Sequence, residues 1–220
     1  MLSPLQARIA VVLARLPEAE GFALAGGAAL IVHEVISRET RDLDFFTPSA
    51  SDVGTVLPGF QQALAREGLT ATAEQVLEGF ARLTVTDGTE TTTVDLASDY
   101  RLRPPVETAV GRVVAEDELA ADKVLALAGR VEARDYLDVA RLVERHGSFE
   151  ALCRLAEQKD PGFRRWALAD MLRHFDRIAR DDFPLRDEDY ETLRRRVADW
   201  RLALERHVDR QAPEPPGLEL

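Results

Sequence analysis

Apolar residues recur at helical spacing from Leu5 to Leu16, interrupted by Arg8 and Arg15, so the chain opens on an amphipathic helix. Gly21 to Ala25 is a short apolar run that reads as a strand. Gly27 to Ile36, rich in Ala, Leu and Val, reads as a helix. Arg41 to Thr47 reads as a second strand, stopped by Pro48, and Ser51 is a candidate N-cap for a helix ending near Gly68. Phe80 to Thr86 and Glu90 to Ala97 are β-rich and flank Asp87-Gly88, a dipeptide that favours a hairpin turn. Pro104-Pro105 breaks the chain. After Glu116 the strand signals cease. Leu119–Leu127, Tyr136–Val143, Phe149–Leu155, Trp166–Ile178 and Tyr190–His207 all carry apolar residues at helical spacing. The layout is an α/β or α+β half followed by a helical half. The segment 211–220 holds three prolines and little core material and is expected to be disordered.

Composition narrows the class. The 220 residues suit one domain or two small ones, and 45% hydrophobic with 30% charged residues is the balance of a globular protein. A single cysteine, Cys153, cannot form an internal disulfide, which fits a reducing cytoplasm. No apolar run approaches the roughly 20 residues that span a bilayer, and Arg8 and Arg15 interrupt the apolar N-terminal stretch, so no signal peptide or membrane partner is expected. The net charge of −11 argues against broad, non-specific binding to nucleic acid, though not against a local basic patch.

The chemistry centres on Asp42 and Asp44. Residues two apart on a strand share a face, so both carboxylates aim one way while Leu43 and Phe45 face the other. Mg²⁺, a hard cation that prefers carboxylate oxygens, is the natural occupant between two such repelling charges. Two ordinary solvated acids at a strand end are the other reading. Upstream, Gly26-Gly27 joins a strand end to a helix start. Glycine there lets a phosphate approach the backbone, or simply makes a tight turn. Asp95 shares a face with Thr93 and Ala97 on the second arm of the hairpin. If that arm lies beside the Asp42 strand, three carboxylates converge. Two then hold metals and the third takes the proton of an attacking hydroxyl.

A glycine pair followed, here after fourteen residues, by Asp-x-Asp resembles the nucleotidyltransferase superfamily that shares a fold with DNA polymerase β. More closely, Arg38, Thr40, Asp42 and Asp44 match the Arg-x-Ser/Thr-x-Asp-x-Asp register of the AbiEii/AbiGii toxin family, which includes the MenT-type toxins. That family carries Asp-x-x-x-x-Lys on a later helix. Here Glu118 stands five residues before Lys123, with Asp117 one step off. Arg134, Asp135 and Asp138 then match Arg-Asp-x-x-Asp. The helix and strand pattern alone puts the boundary between 1–115 and 116–210; the resemblance implies an α+β fold in which the first part is a nucleotidyltransferase domain, with a small mixed sheet flanked by helices, and the second a helical bundle that completes the NTP site. It implies transfer of a nucleotide from an NTP with release of pyrophosphate, using two Mg²⁺ ions, to RNA and in particular the tRNA 3′ end, and a separate cognate antitoxin. Asp42, Asp44 and Asp95 would hold the metals. Gly26, Gly27, Arg38 and Thr40 would surround the nucleotide, Lys123 would neutralise phosphate charge, and Asp135 and Asp138 would face the nucleotide.

The alternatives are concrete. Lys123 is one of only two lysines beside 26 arginines, yet an isolated helix lysine is commonly just solvated. Asp135 and Asp138 share a helix face and could instead pair with Arg134, Arg141 or Arg130. Arg38 could pair with Asp42 or Asp44. Phosphorylation of Thr40 would place negative charge beside the metal site and block NTP binding. His33, His146, His174 and His207 lack ligand spacing and read as structural or surface groups. Arg164-Arg165 and Arg194-Arg195-Arg196 are either an RNA-binding surface or solvated charge. Two rival functions stand: a nucleotidyltransferase that modifies a small molecule such as an aminoglycoside, and a non-catalytic NTP-binding module.

Overall fold

The computed structural model describes the backbone of residues 1–211 and the side chains of 1–206. Of the tail expected to be disordered, 211–220, all but Gln211 lies outside the described residues. The chain divides into two compact units, residues 1–119 and residues from 120 onward.

The first unit is built on a seven-stranded mixed sheet of order β3-β4-β5-β2-β1-β7-β6. Its strands are β1 (Ala23–Ala25), β2 (Asp42–Thr47), β3 (Thr70–Leu77), β4 (Phe80–Thr86), β5 (Thr91–Ser98), β6 (Val106–Thr108) and β7 (Gly111–Val113). Strand β2 lies antiparallel to β1 and parallel to β5. Period-two alternation buries Leu43 and Phe45 of β2, Val94 and Leu96 of β5, and Leu83 and Val85 of β4. Helices α1 (Pro4–Ala14) and α3 (Ala50–Arg66) pack on this sheet with Ile9, Leu13, Val53, Val56, Phe60 and Leu64. Helix α1 starts with a capping box between Ser3 and Gln6, with Pro4 at the first helical position. Helix α2 (Gly26–Val32) is only seven residues long and follows β1 without a loop.

Several details depart from the sequence expectation, among them the helix read over Gly27–Ile36, which ends at Val32, and the run Trp166–Ile178, whose α-helix ends at Leu172. The N-cap of α3 is Ser49 rather than Ser51, and its hydroxyl caps no backbone N–H. Instead Thr47 Oγ1 donates to Asp52 Oδ2 at 2.8 Å across the helix start. Strand β3 was not foreseen, because as a sheet-edge strand it is exposed along nearly its whole length and shows no apolar alternation. Strands β6 and β7 are three residues each, too short for a periodic signal.

The second unit is helical throughout its described residues. It comprises α5 (Ala133–His146), α6 (Phe149–Lys159), α7 (Arg165–Leu172), α8 (Asp187–Gln211) and most of α4 (Glu116–Gly129), within which the division falls. Tyr136, Phe175, Phe183 and Tyr190 form an aromatic cluster, and Phe149 stacks on Trp200 at 4.6 Å. Ser148 caps α6, and Gly147 ends α5 in the left-handed region at φ 82°. No helix among the described residues is long and apolar enough to cross a membrane.

Candidate active site

Asp42 and Asp44 stand half-exposed on one face of β2, while Leu43 and Phe45 between and beyond them are buried. The parallel neighbour β5 sets Asp95 directly opposite Asp44 in the ladder. The three carboxylates therefore share one face of two adjacent strands.

The glycine pair closes over them from β1, where Ala25 pairs with Asp44. Gly26 has φ 60°, in the left-handed region. A Cβ there would fall 1.9 Å from Asp44 Oδ2, so no other residue fits without displacing that carboxylate. Gly27 lies under Thr40 and Arg38: a Cβ would meet Thr40 Oγ1 at 3.2 Å and Arg38 Nη2 at 3.4 Å. Thr40 Oγ1 donates to Asp42 Oδ1 at 2.7 Å. Gln6 of the α1 capping box donates its side-chain amide to the Thr40 carbonyl at 2.9 Å, fixing the segment that leads into β2. Arg101 secures the far end of the strand by donating to the Gly21 and Phe46 carbonyls at 2.9 and 2.6 Å. Gly26, Gly27, Arg38, Thr40, Asp42, Asp44 and Asp95 are thus brought together in the first unit.

Arg82 joins them and was not anticipated. From β4 it faces Asp95 in the ladder and grips both carboxylate oxygens, Nε to Oδ1 at 2.8 Å and Nη2 to Oδ2 at 2.6 Å. The hairpin register concealed it. A two-residue turn at Asp87-Gly88 would pair Arg82 with Thr93. The observed loop spans 87–90, pairs Thr86 with Thr91, and shifts Arg82 opposite Asp95. The Asp87 carboxylate, accepting from the Glu90 and Thr89 backbone N–H groups, stabilises that longer loop and is itself held down at about 2, first by Glu90.

The donor set suits a hard divalent cation: three carboxylates on one face and a glycine turn with no side chain in the way. Among the described residues, however, no group of three or more His, Cys, Asp or Glu side chains stands close enough to hold a metal. The Asp95 carboxylate is turned to Arg82, so sharing an ion with Asp42 and Asp44 requires side-chain rotation.

The remaining candidates lie elsewhere. Glu118 is buried and accepts from the Leu102 and Arg103 backbone N–H groups at 2.9 to 3.1 Å, so it ties down the loop before Pro104. In the second unit, Lys123 Nζ stands 3.1 Å from Asp135 Oδ1 and 2.8 Å from Asp138 Oδ2, and both aspartate side chains are 0% exposed. Arg130 adds Nε to Asp135 Oδ2 at 2.7 Å. Arg134 turns to Glu132, and Arg141 to Glu144. Burial pushes the Asp135 carboxyl up. Hydrogen bonding to Arg130 and the charge of Lys123 outweigh it and hold the group below its ordinary value. Of the arginine runs, Arg165 is buried between Glu150 and Glu157, Arg194 meets Asp176, and Arg196 meets Glu144. His33 Nε2 lies 2.8 Å from the Val114 carbonyl, a structural contact.

Comparison with known proteins places this geometry. JHP933 from Helicobacter pylori superposes with a TM-score of 0.56 at 20% identity, covering 96% of this chain and 97% of that one. MenT4, a nucleotidyltransferase toxin from Mycobacterium tuberculosis, gives 0.55 at 17% identity, covering 92% of this chain and 84% of its own. At these identities the likeness is one of fold. No curated protein matches the chain significantly. The family model for the nucleotidyl transferase AbiEii toxin of type IV toxin–antitoxin systems matches residues 9–217. With nearly the whole chain matched and the glycine turn set against an Asp-x-Asp strand, this protein belongs to the AbiEii nucleotidyltransferase toxin family.

Proposed function

We propose that this nucleotidyltransferase moves a nucleoside monophosphate from an NTP onto RNA, at the tRNA 3′ end, with Mg²⁺ held by Asp42, Asp44 and Asp95. The observation that carries the reading is the alignment of Asp44 with Asp95 on adjacent parallel strands, directly beneath the Gly26 turn. Family membership implies an NTP substrate and a cognate antitoxin; the RNA acceptor and the metal are the proposal's own.

In this reading Gly26 and Gly27 admit the triphosphate close to the backbone. Arg38 and Thr40, lying over Gly27, border the same approach. Lys123, paired with Asp135 and Asp138 inside the second unit, is that unit's candidate for neutralising phosphate charge. The acceptor hydroxyl attacks the α-phosphorus, the bond to the β-phosphate oxygen breaks, and pyrophosphate leaves. Asp95 accepts the hydroxyl proton. Bound Mg²⁺ would supply charge neutralisation on the phosphate oxygens.

The test is an incorporation assay with total tRNA, Mg²⁺ and each α-labelled NTP in turn, beside Asp42→Ala. Label entering tRNA from one NTP and lost in the variant supports the reading. Absence of label while NTP binding persists turns the assignment to a small-molecule acceptor, which the net charge of −11 favours for a cationic substrate. Absence of NTP binding leaves a non-catalytic module.

A further inference from the structure

Arg82 is the cation already seated at the candidate metal site. Its guanidinium makes two parallel hydrogen bonds to Asp95, the bidentate geometry in which an arginine–carboxylate pair is strongest. The Asp95 side chain is only 14% exposed, whereas that of Arg82 is 48% exposed and rests 5.7 Å from the Phe80 ring. The arginine is therefore the partner with more room to leave. Arg82 also senses the whole acidic face. Its pKa is held above the ordinary value by the hydrogen bond to Asp95, then by the Asp95 charge and, more weakly, by Asp44 and Asp42.

We propose that Arg82 is a positioning residue that competes with divalent metal for Asp95. Both ligands are cationic and both draw on the Asp95 carboxylate, whose two oxygens Arg82 already engages. A metal that draws on Asp95 meets the guanidinium charge and competes with its hydrogen bonds, and Arg82 thereby lowers metal affinity and sets the ion concentration at which Asp95 turns toward Asp42 and Asp44. The inference rests on the proposed metal site and deepens it.

The experiment measures Mn²⁺ binding to the full chain without nucleotide, following the free-ion signal by electron paramagnetic resonance. Arg82→Gln is expected to bind Mn²⁺ about fivefold more tightly than the wild type, the fold-change corresponding to loss of a partly exposed ion pair. Arg82→Lys, which keeps the charge without the fork, should fall between them. Molar salt should narrow the differences by screening the pair. In an Asp95→Asn background the Arg82→Gln gain should vanish, an outcome that a merely structural arginine would not produce. Should Arg82→Gln fail to fold, Arg82→Lys carries the same comparison. Unchanged or weaker Mn²⁺ affinity in folded variants overturns the competition. Mn²⁺ binding by the wild type that survives Asp42→Ala overturns the metal-site reading itself.

Discussion

Gly26 and Thr40 are the two positions where a single atom decides what the acidic face can do. At Gly26 the backbone is left-handed, which costs a non-glycine residue roughly 1–2 kcal/mol, and a new Cβ would also strike Asp44 Oδ2. Gly26→Ala should therefore lower the unfolding midpoint modestly but cut nucleotide incorporation by about a hundredfold, since displacement of a catalytic group by about 1 Å costs that much. Activity falling only in step with stability would show that the turn does not shape the site. At Thr40 the hydroxyl donates to Asp42. Thr40→Val removes the donor alone, whereas Thr40→Glu adds a negative charge where Asp42 already carries one. The glutamate should abolish NTP binding by calorimetry and the valine should weaken it severalfold. Equal behaviour of the two variants would remove charge from the explanation and, with it, Thr40 as a phosphorylation switch.

At the scale of elements, ion pairs of similar appearance have unequal weight. Lys123 lies between two aspartates with no exposure, joining α4 to α5. Arg165 joins two glutamates that are 47% and 40% exposed. Removing the lysine strands buried charge, whereas removing the arginine leaves carboxylates that water can reach. Lys123→Met should cost about 3 kcal/mol in urea unfolding and Arg165→Leu about 1 kcal/mol; the reverse order would refute the burial argument. The other lysine of the chain, Lys159, is also buried and pairs with Asp122 of another helix, whose side chain is 21% exposed. Legibility follows the same division. Strands β2, β4 and β5 were readable because each alternates buried and half-exposed residues, and the helical run after Glu116 because its apolar spacing is regular. Strand β3 was not, being stabilised by its backbone ladder rather than by a buried face. Asp42, Asp44 and Gly26 announced themselves by spacing within one short segment. Arg82 did not, because its partnership with Asp95 depends on a turn two residues longer than the simplest hairpin. Nor did the clasp of Glu118 on the Leu102 and Arg103 N–H groups, which no local pattern encodes.

For the whole molecule, an acidic chain of net charge −11 gains stability from those carboxylates that the fold holds ionised. In the helical unit these are Asp135, where burial raises the pKa but Arg130 and Lys123 lower it further, and Glu144, lowered first by Arg196. A carboxylate whose folded pKa lies below its unfolded value of about 4 contributes stability that is fully present above that value. The contribution is lost as pH falls through the folded pKa. The wild-type unfolding midpoint should therefore stay level from pH 7 to 5 and drop below pH about 4. Asp135→Asn should begin lower at pH 7, because Lys123 and Arg130 each lose one counter-charge, and then decline less steeply on acidification. The two curves should converge only once the pH has fallen through the folded pKa of Asp135, which lies below the ordinary carboxylate value. Thermal scans followed by circular dichroism at each pH decide the matter. Parallel curves for the two proteins would mean that the buried cluster does not couple protonation to folding, and that acid stability rests on the exposed pairs instead.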